Sequence, residues 1–456
     1  MVNNPVGNRV IVLGGSMAGL LAARVLADFY TDVIVVDRDE LTNATDYRRG
    51  VPHGHHAHGI MARGQQILED HFPGLTDELV AAGVTTGDFN SGNRWYFNGR
   101  RLRPGRSGLL CVPATRPVLE YHVRERVKKI ANVEFLDCHD IVGLTATPDR
   151  SRVTGVRVHG QTPAAQERTL DADLVVDTTG RGSRTPVWLQ ELGYDRPEEE
   201  TVKVGLAYTT RHYRLTGDPL GDDLAIIPAP TPAHPRGAFL YRTPGAGDRY
   251  ELSLTGMLGD HPPTDPQGFL DFARSLPVPS IYEAVKDAEP LDDPVTFKFP
   301  ASVRRHYERL TATPAALLVM GDALCSFNPI YAQGMTAAAL ESVTLRRHLH
   351  RGHPVDPAAF FRDVAKDVDL PWGFSAGADL GFPGVEGKRT LQVRLANAYV
   401  GALQRAAVHS SYLSNAFIRA AGLIDAPQAL MRPGALVRVL WHSLRPTFRL
   451  TTGATR

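Results

Sequence analysis

The chain opens on an uninterrupted apolar run, RVIVLGG, residues 9–15, closed by glycines. A strand covered on both faces reads this way, because neither face needs a polar residue. MAGLLAARVLADF follows, with apolar positions at helical spacing and strong helix formers. TDVIVVDRD is a second buried strand, ending in acids. Strand, glycine turn, helix and strand within about thirty residues make a βαβ unit.

Two later stretches share this character. DADLVVDTTGRGS (171–183) predicts a strand running into a Gly-rich turn, and ALLVMGDALCSFNPIYAQGMTAAALES (316–342) a strand, a turn and an Ala-rich helix. Between them, VKVGLAYTTRHYRL, GAFLYRTP and DRYELSLTGML carry β-branched and aromatic residues between Pro/Gly loops, the mark of a mostly antiparallel sheet. From about residue 346 the pattern turns helical, clearest in VRLANAYVGALQRAAVHSSYL and PGALVRVLWHSLR. No repeat or low-complexity tract interrupts it. The fold class expected is α/β. Residues 1–85, 111–185 and 301–345 make a discontinuous Rossmann-like nucleotide-binding domain, 86–110 and 186–300 an inserted β-sheet substrate domain, and 346–456 a helical C-terminal segment.

Composition narrows the function classes. The 456 residues, 43% hydrophobic, suffice for a large core. A net charge of +1 with both signs mixed argues against a nucleic-acid surface. Cys111, Cys138 and Cys325 form no CxxC pair, so neither a disulfide framework nor a structural zinc is expected, which fits a reducing compartment. The apolar runs are too short to span a bilayer and no signal-peptide pattern opens the chain, so a soluble cytoplasmic protein is expected.

Gly14-Gly15-Ser16-Met17-Ala18-Gly19 sits at the first strand-to-helix turn. In a G-x-G-x-x-G turn the glycines allow a tight bend, close approach of a pyrophosphate, and packing of helix on strand. Ser16 replaces the middle glycine. Asp37, eighteen residues past Gly19, stands where an acid holds ribose hydroxyls. Together these point to a dinucleotide.

The motifs GGSMAGLLAARVL, DRDEL, RRGVPHGHHAH, DLVVDTTGRGS and GDALCSFNPIYAQGM, in that order, resemble the flavoprotein monooxygenases of the para-hydroxybenzoate-hydroxylase fold. Within that superfamily they look like the bacterial polyketide-tailoring branch, which includes polyether-type polyene epoxidases and FAD-dependent (4+2) cyclases. The resemblance implies FAD as cofactor. Gly321-Asp322 matches the pair whose Asp holds the ribityl chain. Pro329 and Gly334-Met335 match the turn that opens a helix toward the flavin ring, and Arg116 the Arg that reaches the FAD phosphates. Arg38 belongs to the same cofactor set. The halogenase signature Trp-x-Trp-x-Ile-Pro is absent, and WYFNGRR does not supply it.

The implied activity is transfer of oxygen from a flavin C4a-hydroperoxide to a large apolar polyketide-like substrate, by epoxidation or hydroxylation. The alternative is a non-redox cyclase in which FAD is structural. The flavin carries the chemistry, so no protein nucleophile is expected. Thr179 replaces the family's usual Asp before Gly180, which leaves electrons to come from NAD(P)H or from a partner flavin reductase. Substrate contacts are expected among Arg211, Tyr213, Tyr241 and Tyr250 on candidate strands, of which alternation puts only some on the pocket face, and from Trp372 in an entrance loop that also holds Asp369 and Asp379. In RRGVPHGHHAHG, Gly50-Val51-Pro52 and His56-Ala57-His58 match the family's loop near the flavin, while His53 and His55 stand where relatives carry Gln and Arg. Arg48, Arg49 and His56 are therefore expected at the FAD site, with His55 as a pH-sensitive element, and no metal.

Overall fold

The computed structural model describes residues 5–41, 46–162, 165–245 and 247–444. Five strands form a sheet in the order Leu317–Val319, Leu174–Asp177, Gly7–Leu13, Tyr30–Val36 and Val133–Leu136. All neighbours in it run parallel. Residues 10–13 and 33–36 are buried, as continuous apolar runs require when helices and loops cover both faces. Leu13 pairs with Val36 on one side and Asp177 on the other, so the glycine turn, Asp37 and the 177–183 turn all emerge at one carboxyl edge. The helix Met17–Leu26 lies over this sheet and packs against Gly334–Leu349.

The second layer is a large mixed sheet. Its order runs Cys325–Ser326, Val295–His306, Glu198–Arg214, Arg249–Gly256, Arg236–Arg242, Ala225–Ala229, Asn93–Phe97 and Arg100–Arg101. Only Ala225–Ala229 with Asn93–Phe97 pairs parallel. The strand Val295–His306 carries residues 301–306 into this sheet, past the domain boundary expected at 301, because Val303 pairs with both Thr201 and Ser326. A separate antiparallel meander, His139–Ala146, Val153–Gly160 and Glu167–Asp171, escapes the hydrophobic pattern, since its last strand is almost wholly exposed.

Four helices close the C-terminal side: Pro357–Asp379, Leu391–Ala407, Ser411–Ala421 and Pro433–Leu444. Asp369, Trp372 and Asp379 lie within the first of these and not in a loop. Pro371 lies inside this helix, where an interior proline ordinarily ends or kinks it. Here Asp356 caps the start by accepting from Ala358 N, the Ser375 hydroxyl donates to Pro371 O at 2.8 Å, and Phe360, Phe361, Val364 and Val368 bury the apolar face. Expected helix beyond Leu444 lies outside the described residues. No helix among the described residues is long and apolar enough to cross a membrane.

Candidate active site

A cavity of about 1880 Å³ separates the carboxyl edge of the parallel sheet from the large sheet and the C-terminal helices. One small-molecule pocket usually occupies roughly 300–1,000 Å³, so this volume accommodates two ligands side by side.

At one end, backbone contacts demand the glycines. Gly14 has φ +99°, and a Cβ there would come within 2.8 Å of Thr178 O. A Cβ on Gly19 would lie 1.8 Å from Gly14 O. Helix and turn therefore touch as a dinucleotide cradle requires. Gly14, Ser16, Met17 and Ala18 line the cavity, while Gly15 and Gly19 shape it from behind. The Gly15 N–H donates to Asp37 Oδ2 at 2.6 Å. Helix Met17–Leu26 starts with no side-chain cap and no acid in its first turn, which leaves its leading amides for an anion.

Around this turn lies a buried charge network. The Ser16 hydroxyl donates to Glu120 Oε2 at 2.7 Å and accepts from Arg116 Nη2 at 2.7 Å. Glu120 also accepts from Arg116 Nε at 3.1 Å and from Arg48 Nε at 2.9 Å. Arg48 reaches Asp39 at 3.1 Å and Asp37 at 3.7 Å. Burial pushes the Glu120 carboxyl up, but Arg116 and Arg48 outweigh it and hold the group below its ordinary range. Burial also raises Asp37, against the pull of Arg48 and the Asp39 and Gly15 amides. Arg48 and Arg116 line the cavity but are matched by protein carboxylates. Arg38 and Arg49 line its rim, with Arg38 3.3 Å from Asp140. Glu120 is the residue that sequence reasoning missed; only the i,i+4 spacing from Arg116 signals it.

The second motif meets the first across the cavity. Asp322, Pro329, Gly334 and Met335 all line it. Burial raises Asp322, opposed by Arg116 and Arg181. A Cβ at Gly334 would lie 3.5 Å from Asp322 Oδ1, so the two share one corner. In the 177–183 turn the acid is Asp177, two residues before Thr179. It faces inward, accepting from Thr179 Oγ1 at 2.6 Å and Thr185 Oγ1 at 2.6 Å.

The histidine loop divides. His53, His56 and His58 line the cavity. His55 does not: its ring stacks on Tyr47 at 3.8 Å. Burial holds His56 down to about 3 and His58 down to about 4, so both are neutral at pH 7. His56 leans on the large sheet, with Nδ1 2.8 Å from Thr210 Oγ1 and its ring 5.7 Å from that of Tyr208.

Of the expected substrate contacts, Tyr241 lines the cavity. Arg211, Tyr213, Tyr250 and Trp372 do not. Strand alternation turns Arg211 and Tyr213 away from the face that carries Tyr208 and Thr210. Arg211 Nε donates to Asp292 O at 2.8 Å, Tyr213 packs on Phe269, and Trp372 on Phe327. Tyr208 takes their place in the wall, with Trp95, Phe239, Phe297 and Tyr331.

Residues 8–351 match the model of the FAD binding domain family. The chain is 33% identical to Protein Rv3254 of Mycobacterium tuberculosis, over 97% of its own length and 95% of that protein's. A flavoprotein/dehydrogenase from Cytophaga hutchinsonii has the same fold, with a TM-score of 0.66 at 13% identity, covering 96% of this chain and 98% of that one. So does the Diels-Alderase PyrE3 of the pyrroindomycin biosynthetic pathway, with a TM-score of 0.58 at 17% identity, covering 92% and 81%. With its glycine cradle, its ordered motifs and this match over most of its length, the chain belongs to the FAD binding domain family.

Proposed function

We propose that the chain is an FAD-dependent monooxygenase that places one oxygen atom on a large apolar polyketide-like substrate, by epoxidation or hydroxylation, in secondary-metabolite biosynthesis. The observation that carries this reading is one continuous cavity of about 1880 Å³, with a dinucleotide cradle at one end and an aromatic wall at the other. When bound, FAD supplies the activation of O2. The protein binds, orients and excludes water. Gly14, Ser16, Met17 and Ala18 would hold the pyrophosphate, Asp37 the ribose and Asp322 the ribityl chain. Arg38, Arg49 and Arg116 would border the phosphates, and Pro329, Gly334 and Met335 the flavin end. Trp95, Phe239, Phe297 and Tyr241 would face the substrate.

Electrons would come from NAD(P)H, directly or through a flavin reductase. The alternative is a cyclase that folds its substrate against a structural FAD; the fold shared with a Diels-Alderase favours keeping it. One experiment separates them. The FAD-loaded protein is supplied with labelled O2, NADPH plus a flavin reductase, and a panel of linear polyenes, and products are weighed. The oxygenase reading expects one labelled oxygen per product. Products of unchanged mass, formed anaerobically on oxidised FAD, would replace it with the cyclase.

A further inference from the structure

Two wall residues each carry a buried polar atom with no partner: His56 Nε2 and Tyr208 Oη. Their rings are 5.7 Å apart, and both residues are almost fully buried. Native proteins leave few such atoms unpaired, so an adjacent pair calls for an explanation.

The hydrogen bonds behind His56 determine which kind of atom Nε2 is. The Ala57 N–H donates to Ser253 Oγ at 2.9 Å, and Ser253 Oγ donates to Glu251 Oε1 at 3.0 Å. His212 stands 3.6 Å from Glu251 and is itself held up to about 9: burial depresses it, but its bonds to Asp292 and Glu251 prevail. It is therefore charged, while Glu251 accepts from both Ser253 Oγ and Tyr241 Oη. Ser253 has then used its one proton, so in the 2.5 Å contact between Thr210 Oγ1 and Ser253 Oγ the donor is Thr210. Thr210 in turn has none left for His56, and the 2.8 Å contact is donated by His56 Nδ1. The imidazole is locked with its proton on Nδ1 and a bare lone pair on Nε2. The Tyr208 hydroxyl, on the neighbouring ring, has a proton to give.

We propose that His56 Nε2 and Tyr208 Oη form a receptor for a hydroxyl group of the substrate, which donates to Nε2 and accepts from Tyr208 Oη. The ligand class is thereby an apolar alcohol, enol or phenol rather than a pure hydrocarbon or a carboxylate. An anion would meet the lone pair of a neutral ring and be repelled. His56 and Tyr208 are specificity-determining residues, and Thr210, Ser253 and Glu251 position the first of them. The assignment rests on reading the cavity as a substrate site.

The test uses FAD-loaded protein and a matched pair of probes, 2-naphthol and 2-methoxynaphthalene, compared by calorimetry. The hydroxyl probe is expected to bind about tenfold more tightly than its methyl ether. His56→Leu is expected to abolish that preference and Tyr208→Phe to reduce it. Equal affinities in the wild type, failure of 2-naphthol to bind, or a preference that survives both substitutions would overturn the proposal. A ligand-free readout stands beside it: the side-chain 15N shifts of His56 should report the Nδ1–H tautomer, with Thr210→Val releasing it. An Nε2–H tautomer in the wild type would equally overturn the assignment. A protein that binds no FAD would remove the functional reading instead, and leaves both readouts measurable.

Discussion

Glu341 provides a quantitative test of how the second cofactor motif is supported. It lies in helix Gly334–Leu349 with no exposed surface, and its Oε2 accepts from the Gly321 N–H at 2.5 Å. Its other oxygen has no partner. Burial pushes the carboxyl from an ordinary 4.5 up to about 8; the Gly321 bond pulls against this, and Asp367 and Asp322 add to it. A carboxyl raised on folding contributes stability that is fully present below its unfolded value and is lost as pH rises through its folded one. Here the loss runs from near pH 4.5 to near pH 8. Between pH 6 and pH 8 it amounts to about 2 kcal/mol. Glu341→Gln keeps an acceptor for Gly321 and removes the titration. Urea unfolding of wild type and variant without FAD, at both pH values, measures the gap. The variant should gain about 2 kcal/mol on the wild type between pH 6 and pH 8. A difference that stays constant, or that shifts in favour of the wild type at pH 8, would refute the burial argument.

Three further predictions concern the cradle and the histidine loop. Gly19→Ala drives a Cβ against Gly14 O and should weaken FAD binding roughly ten- to a hundredfold, read by fluorescence titration. Glu120→Ala leaves Arg48 and Arg116 buried without their shared carboxylate; a loss of about 3–5 kcal/mol in urea unfolding is expected, and Glu120→Gln, which also removes the charge, should recover little of it. His55→Arg should leave the pH dependence of FAD binding unchanged and its affinity within about twofold, because His55 stacks on Tyr47 outside the cavity.

The glycine-turn end of the cavity could be read from the chain because its geometry is local. The run that ends at Leu13, the glycines after it and the acid at Asp37 fall within one βαβ unit, and backbone contact imposes their identities. Asp322 and Gly334 lie twelve residues apart in one continuous motif and follow the same logic. The wall opposite could not be read in this way. Whether Tyr208 or Tyr213 faces the cavity depends on strand register, and a shift of one residue exchanges the faces. Trp372 lies in a helix and not in the expected loop, because buried apolar contacts carry the helix through Pro371. Glu120 and Glu341 gave no motif, because their roles arise from partners 104 and 20 residues away. His55 and His56, adjacent in sequence, part company only when the loop is folded against Tyr47 on one side and Thr210 on the other.

The central claim is that the glycine turn, Asp37, Arg116 and Asp322 converge on one FAD. Titration of the purified protein with FAD, followed through the visible absorbance of the flavin, tests it most directly. The account predicts saturation at one FAD per chain, with the band shifted from that of free flavin. A protein that stays colourless after exposure to excess FAD would contradict it.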